Sequence, residues 1–311
     1  MKNRKLKIGV FITILFLSKT VVYAQYGPTF TQYTFNEAFI NPAYIGSQDA
    51  LAVNASYRNQ WVGIDGAPVT QTFVAHAPAF HKKIGIGITA FNDRIGVLKT
   101  TAAYLNLSYR IIMPRATLSF GLLGGIQSVR EDFTKVKTIQ PEDDQFMHNT
   151  PRVISPNMGF GAYYYTRKLY VGLSVPRLMQ TVYGSDSSKA LTRVNVKDFS
   201  YYAALGYVFD ANENVIWKPY ILTKIIQGAP IQADFALTAL LHKVLWAGAS
   251  YRTDHTLSGI IGIQMTPQFK LSYSYDYTFS ELQKYHSGSH EVQLSYIFSF
   301  NKEKIVTPRL F

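Results

Sequence analysis

The sequence predicts an all-β fold: a transmembrane antiparallel β-barrel of about fourteen strands, with an irregular plug segment at its N-terminal end. Three observations carry this prediction. Short runs of alternating apolar and polar residues recur from residue 50 to residue 300, which is the period of a β-strand. The connections between these runs are alternately short and long. Past the leader, no apolar run reaches the roughly 18–20 residues that a membrane helix needs.

Composition excludes several other classes of protein. Only 16% of the residues are charged and 47% are hydrophobic, which argues against disorder, and a mean hydropathy near zero argues against a helical membrane protein. The chain has no cysteine, so disulfides, thiolate metal sites and lipid-modified cysteines are excluded. The formal charge is +12, and removing five basic leader residues leaves +7. These charges are scattered, so we expect no nucleic-acid partner.

Residues 1–24 are predicted to be a secretory signal peptide. A basic start precedes an apolar stretch from Ile8 to Leu17, and Val22-Tyr23-Ala24 provides a small-residue cleavage site. A membrane anchor is the alternative, but the apolar stretch is too short to span a bilayer. Cleavage would leave Gln25 as the new N-terminus.

Residues 25–49 interrupt the alternation and are predicted to plug the barrel. Asn41-Pro42-Ala43 and Gly46 favour turns, because a residue that precedes proline is disfavoured in the helical region. Fourteen strands enclose more space than eight, whose inward side chains can fill the interior. The alternative is a disordered periplasmic tail, which the six aromatic residues of this segment disfavour.

Residues 50–300 are predicted to form the wall, followed by a C-terminal tail at 301–311. The last run is the clearest, since Val292, Leu294, Tyr296, Phe298 and Phe300 share one face that is about as tall as the hydrocarbon layer of a bilayer. The predicted strands lie near 50–60, 69–78, 83–92, 99–112, 116–129, 157–166, 168–176, 197–209, 215–227, 230–241, 243–253, 256–266, 268–279 and 289–300.

The connections predict the topology. Bacterial outer-membrane barrels have short periplasmic turns, long outer loops and an even number of strands. The three longest loops, about 130–156, 177–196 and 280–288, fall on one rim. The short turns fall on the other rim and centre on His81-Lys82, Pro114-Arg115, Arg167, Asn212-Glu213, His242 and Pro267. We therefore predict a multi-pass protein of the cell outer membrane, in contact with its lipid.

Alternation also places charged side chains in the lumen. The predicted inward basic residues are Arg58, Arg110, Lys218, Lys224, Arg252 and Lys270, and the predicted inward acids are Asp234, Asp276 and Glu291. Mutual pairing that fills the interior is one interpretation. The other is a basic lumen or mouth that binds an acidic partner segment, because desolvation makes ion pairs a weak source of stability. For that interpretation, the predicted partner-binding residues are Arg58, Trp61, Lys218, Lys224, Arg252 and Glu291.

No motif predicts an enzyme, a metal site or a cofactor. Gly85-Ile86-Gly87 lacks the third glycine of a phosphate loop and lies within a strand. His286 and His290 have the spacing of paired ligands on a helix, but a loop that enters a strand does not align them. The sequence contains no G-x-S-x-G nucleophile elbow. We therefore predict no catalytic residues.

Several short motifs in a fixed order resemble the PorP/SprF family, outer-membrane proteins of the type IX secretion system of Bacteroidetes. The motifs are Gln32-Tyr33, Asn41-Pro42-Ala43-Tyr44-Ile45-Gly46, Tyr57-Arg58-Asn59-Gln60-Trp61, Asp93-Arg94-Ile95-Gly96, Leu118-Ser119-Phe120-Gly121 and Ser289-His290-Glu291-Val292. The resemblance covers essentially the whole mature chain.

The resemblance implies a role in the secretion of large surface adhesins and, in some members, in gliding motility. It implies that the barrel binds, helps export or anchors the adhesin through the adhesin's C-terminal sorting domain, and that it contacts periplasmic motor-ring proteins. The alternative function is an outer-membrane porin or a substrate-specific channel, such as a fatty-acid transporter. An apolar lumen would favour the fatty-acid transporter, whereas the predicted inward residues are mostly polar.

Overall fold

The computed structural model describes residues 27–133, 152–183 and 190–298. The predicted signal peptide, the first two residues of the predicted plug, Phe300 and the predicted C-terminal tail lie outside these ranges, as does most of the predicted loop at 130–156. Within the described ranges, no helix is both long and apolar enough to cross a membrane.

The described residues form seventeen strands, which alternate along the chain with short turns or longer loops. The strands are β1 Leu51–Asn59, β2 Val69–Ala79, β3 Ile84–Ile95, β4 Leu98–Ile112, β5 Thr117–Glu131, β6 Val153–Tyr165, β7 Leu169–Val175, β8 Met179–Tyr183, β9 Ala190–Val194, β10 Ser200–Tyr207, β11 Phe209–Asn212, β12 Val215–Ile226, β13 Gln232–Leu241, β14 Leu245–Arg252, β15 Thr256–Gln264, β16 Phe269–Thr278 and β17 Ser289–Phe298.

One antiparallel sheet closes on itself to form the barrel. β1 pairs with β2 on one side and with β17 on the other, and β10 pairs with both β7 and β12. β11 continues the course of β10 after Val208 and also pairs with β12, so β10 and β11 form a single wall strand. Counted in this way, the wall has fourteen strands, which confirms the predicted fold class and places each strand close to its predicted range.

The hairpin of β8 and β9 was not predicted. It lies within the region that the sequence predicted as a loop at 177–196, and it forms a separate two-stranded sheet. Each of its strands has only five residues, and neither Met179–Tyr183 nor Ala190–Val194 alternates strictly between apolar and polar side chains.

The two ends of the barrel differ in their connections. One end, here called the turn end, carries the short connections 80–83, 113–116, 166–168, 213–214, 242–244 and 265–268. The opposite end, here called the loop end, carries the longer connections 60–68, 132–152, 176–199 and 279–288, together with three connections of five residues or fewer. The short turns lie where the sequence predicted them.

The wall has an apolar outer face and a polar inner face. In β4, Leu105 and Leu107 are exposed on the outside, whereas Asn106, Ser108 and Arg110 are buried on the inside. β16 and β17 show the same arrangement. This distribution is the reverse of a soluble protein and suits a barrel whose outer face contacts lipid.

Candidate functional site

The lumen is filled by residues 27–49, here called the plug segment. Three short 3-10 turns, Tyr33–Phe35, Glu37–Phe39 and Pro42–Tyr44, bend it back and forth. The Asn41 side chain accepts a hydrogen bond from the Ala43 nitrogen at 2.9 Å and so caps the third turn. The segment begins near the loop end and meets β1 at the turn end.

A buried ion network holds the plug segment near the loop end. The Arg58 guanidinium lies 2.6 Å from Asp276 Oδ2 and 3.1 Å from Glu291 Oε2. Thr31 Oγ1 accepts a hydrogen bond from Arg58 at 3.1 Å and donates to Asp276 at 2.7 Å. Because Arg58 pairs in register with Glu291 across β1 and β17, the sheet itself brings these two charges together. All four side chains are at most 6% exposed.

Charged wall side chains at this end also bind the main chain of the plug segment. The Glu291 carboxylate accepts hydrogen bonds from the Thr31 nitrogen at 2.8 Å and from the Gln32 nitrogen at 3.3 Å. The Arg252 Nη2 donates to the Phe30 carbonyl oxygen at 2.6 Å. Each of these bonds involves an ionised group, so each is stronger than a bond between neutral partners.

Two further main-chain carbonyls are bound deeper in the lumen. Lys218 Nζ donates to the Thr34 oxygen at 2.7 Å, and Gln293 Nε2 donates to the Phe35 oxygen at 3.3 Å. The Phe35 ring also lies under Lys270, whose Nζ is 3.6 Å from the ring centroid, a distance at which a cation–π attraction stabilises both groups.

Nearer the turn end, wall glycines make room for the plug segment. A Cβ added to Gly121 would lie 2.2 Å from the Ala43 nitrogen, and one added to Gly161 would lie 2.1 Å from Asn41 Oδ1. A Cβ added to Gly85 would lie 2.2 Å from the Ile45 oxygen. Since real Cβ contacts are never this short, residues 41–46 fit only against a wall that lacks side chains at these points.

Arg110 completes the anchorage at the turn end. Its guanidinium donates to the Gly46 carbonyl oxygen at 2.8 Å and to Asp49 Oδ1 at 2.7 Å. Ser108 Oγ, two residues earlier on the same strand, donates to the Ile45 oxygen at 2.7 Å. The chain therefore enters β1 from a segment that is bound on both its main chain and its side chains.

Five of the six residues predicted to bind a partner are buried in the wall. Arg58, Lys218, Arg252 and Glu291 contact the plug segment, and Lys224 lies 5.9 Å from the Tyr202 ring. Arg252 also pairs with Asp234, its neighbour in register across β13 and β14. Mutual pairing and plug binding therefore both occur. Binding of an external partner by these residues stays a prediction.

Trp61, the sixth residue, lies outside the lumen on the connection 60–68. Its backbone nitrogen donates to Ser289 Oγ at 3.1 Å, and its ring centroid is 6.5 Å from that of His286. Burial lowers the pKa of His286, and its Nδ1 accepts a hydrogen bond from the Gly288 nitrogen at 2.9 Å. His286 is therefore neutral near pH 7, and the surface beside Trp61 is aromatic rather than cationic.

Several contacts of the plug segment escaped the sequence analysis. Gln293, Ser108 and Ser174 bind its carbonyl oxygens, but none of them was predicted as a site residue. Their inward orientation follows from alternation, whereas their partners do not. In the described part of the chain, no group of three His, Asp or Glu side chains is arranged to hold a metal ion.

A closed fourteen-stranded barrel with an apolar outer face and a polar, plugged interior defines a multi-pass protein of the outer membrane. Residues 22–296 match the family described as type IX secretion system membrane protein PorP/SprF. The chain belongs to this family, which is a family of secretion-associated membrane barrels.

Solved structures with a similar fold are outer-membrane barrels. The chain is 13% identical to the CymD monoaromatic hydrocarbon channel, with a TM-score of 0.52, and the match covers 86% of this chain and 99% of CymD. A Pseudomonas aeruginosa FadL homologue is 11% identical, with a TM-score of 0.47 and coverage of 88% and 95%. The comparison with curated protein sequences gave no match. At these identities the likeness to CymD shows the fold alone.

Proposed function

We propose that this barrel binds a large secreted adhesin at the cell surface, through the adhesin's C-terminal domain, and helps to export or anchor it. Membership of a type IX secretion family supports a role in protein secretion. The observation that carries the proposal is the lumen itself. Its charged side chains bind a peptide, the plug segment, by main-chain atoms near the loop end.

A channel for small molecules is the rival function. CymD is described as a monoaromatic hydrocarbon channel, but a likeness at 13% identity concerns the fold. A channel needs a continuous passage, and here the plug segment fills the lumen between Arg58 near the loop end and Arg110 near the turn end. The polar inner face also fits a peptide better than it fits an apolar solute.

The deciding experiment compares cells with and without this chain. A tagged chain is purified from native outer membranes, and the co-purified surface protein is identified. The amount of that protein on cells and in the medium is then measured after the gene is deleted and after it is restored. We expect the adhesin to leave the cell surface on deletion and to return on restoration. An unchanged surface amount would contradict the proposal, and loss of small-solute uptake alone would support the rival.

Trp61 tests where the adhesin binds. We expect Trp61→Ala to lower the surface adhesin per folded barrel, because Trp61 is a flat aromatic anchor on the loop end and such residues dominate interface energies. The matched control is Trp217→Ala, which removes a lipid-facing tryptophan from β12. Equal ratios in both variants would place the binding site elsewhere on the barrel.

The proposal extends to the periplasmic side, where the turn end would contact type IX motor-ring proteins. A photo-crosslinking side chain at Arg167 or Lys243, on two different turns, tests this extension in living cells. A crosslink to a periplasmic secretion protein is expected. Crosslinks to lipid or to no protein at both positions would remove the motor contact from the proposal.

A further inference from the structure

We propose that the loop-end half of the plug segment, residues 27–36, occupies a peptide-binding groove that a segment of a secreted partner takes over by displacing it. The inference rests on the proposed function in one respect, since it states how the cargo would be held. The partner segment is defined by its chemistry: a peptide that presents a carbonyl followed by two free backbone N–H groups, with a carboxylate near its leading end.

The first argument is that the groove binds main-chain atoms of the segment. Arg252 binds the oxygen of Phe30, and Glu291 binds the nitrogens of Thr31 and Gln32. Farther along the segment, Lys218 binds the carbonyl oxygen of Thr34, and Gln293 binds that of Phe35. Every peptide carries these atoms, so another sequence would make the same bonds if it adopted the same backbone conformation, which is irregular up to Gln32 and forms a 3-10 turn at Tyr33–Phe35.

The second argument is that the charges that bind residues 30–32 keep partners in the wall when the segment leaves. Lys218, which binds the Thr34 oxygen, and Lys270, which lies 3.6 Å from the Phe35 ring centroid, lose these contacts, and the incoming segment has to replace them. Glu291 and Asp276 keep Arg58 as their partner, and Arg252 keeps Asp234, because both pairings are made within the wall. A buried charge that loses its partner is strongly destabilising, whereas these charges keep theirs when the segment leaves. The turn-end half differs, because Asp49 would be separated from Arg110.

The third argument is a cleft beside the segment that is lined by a cationic side chain, Arg177. A narrow cleft of about 40 Å³ lies between the plug segment and the wall, and Pro28, Phe39, Tyr202 and Arg177 are among its lining residues. In the described part of the chain, Arg177 makes no direct hydrogen bond or ion pair, but it lies close enough to Asp93 to attract that carboxylate, and its guanidinium lies 3.4 Å from the position that a Cβ on Gly27 would take. A carboxylate on the incoming segment would pair with it.

The test uses the full-length chain with its own segment loosened. Replacing Thr31 and Gln32 by proline removes both N–H groups that Glu291 accepts. The probes are a fluorescent peptide with the sequence of residues 27–36 and the same peptide methylated on the Thr31 and Gln32 nitrogens. A Thr31→Val chain, which keeps both N–H groups, is the control.

We expect the double-proline chain to bind the unmethylated peptide at least about tenfold more tightly than the methylated one, because two bonds to a carboxylate are lost. The natural and Thr31→Val chains should bind the unmethylated peptide at least about tenfold more weakly than the double-proline chain, since their tethered segment competes at high effective concentration. Equal binding of both peptides, or no binding of either, would overturn the inference. Should the double-proline chain fail to fold, the Gln32→Pro chain takes its place under the same criteria.

The outcome is separable from that of the proposed function. If the peptide does not bind but deletion of the gene still releases the adhesin, the adhesin is held outside the lumen and only the groove is refuted. If the peptide binds as expected but deletion leaves the adhesin in place, the groove stands and serves another secreted partner.

Discussion

The two halves of the plug segment are held in different ways. Residues 27–36, near the loop end, are bound by charged side chains that already have partners in the wall, such as Arg58 with Asp276. Residues 41–49, near the turn end, sit against wall glycines and supply Asp49 as a partner for Arg110. Polar contacts to the main chain occur at both ends, but only near the turn end do wall glycines also restrict which residues fit.

This difference determines which half of the plug segment stays bound to the wall and which half can leave it. The turn-end half fits one sequence, because Gly121 and Gly161 leave room for the backbone only where Asn41 and Ala43 lie. The loop-end half depends on hydrogen bonds that another peptide can replace, and on the buried rings of Phe30, Tyr33 and Phe35, which only a partner with apolar side chains there would replace. A barrel built in this way can keep its plug tethered while its outer part moves. The predictions below test that contrast, beginning with the largest expected effect.

The ion network gives the largest effect. We expect Arg58→Met to destabilise the folded barrel by about 3–5 kcal/mol, because Asp276 and Glu291 would then be buried without their partner. Denaturant unfolding of the purified barrel measures the change. Lys168→Met is the control, since it removes an exposed ion pair with Asp210, for which we expect at most about 1 kcal/mol. A similar small loss in both variants would show that the network is hydrated and weak.

Replacing one of the wall glycines that contact residues 41–46, here called the glycine seat, should give a smaller loss of stability. In Gly121→Val the new side chain would overlap Ala43, so we expect a loss of about 1–3 kcal/mol and an open lumen at the turn end. Unfolding measurements and ion current across a planar bilayer report the two effects. Gly124→Val on the same strand is the matched control, because nothing lies within 4 Å of the Cβ that would be added there. Identical behaviour of the two variants would refute the seat.

A charged substitution on the lipid-facing surface should lower the stability of the barrel without any change in the plug segment. Phe298 is 37% exposed on the outer face, at the end of β17. We expect Phe298→Arg to destabilise the barrel by up to about 1 kcal/mol, since charge near a membrane interface is tolerated far better than at the midplane. Assembly yield and heat-modifiable migration are compared with Phe298→Leu. Better assembly of the arginine variant would place Phe298 away from lipid.

The orientation of the barrel in the membrane decides which half of the plug segment faces the outside. The substitutions that test it should change the free energy of unfolding by no more than about 0.5 kcal/mol. Single cysteines at Glu281 and Arg167, both exposed, mark the loop end and the turn end of a chain that has no other cysteine. An impermeant thiol reagent should label position 281 in intact cells and position 167 only after the outer membrane is permeabilised. The reverse pattern would mean that the loop end faces the periplasm, and residues 27–36 would then lie on the periplasmic side.

Much of the wall could be predicted from the sequence because lipid and lumen impose opposite requirements on successive residues. Leu105 and Asn106 are neighbours in sequence but lie on opposite faces of β4, and the alternation that separates them extends over the whole strand. The same reasoning correctly placed Arg58, Lys218, Arg252 and Glu291 on the inner face. Where the signal was short, as in the hairpin of β8 and β9, the prediction was wrong.

The sequence by itself therefore determined the fourteen strands, their faces and their turns, since each depends on the local period and on local turn residues. Only the tertiary structure decided what the inward charges bind. Thr31 and Glu291 are separated by 260 positions along the chain, and no local pattern links a residue of the plug segment to a strand that closes the barrel. Gly121 and Gly161 likewise become a seat only when Ala43 and Asn41 pass over them. Such contacts depend on the path of the plug segment through the lumen, which exists only once the sheet has closed around it.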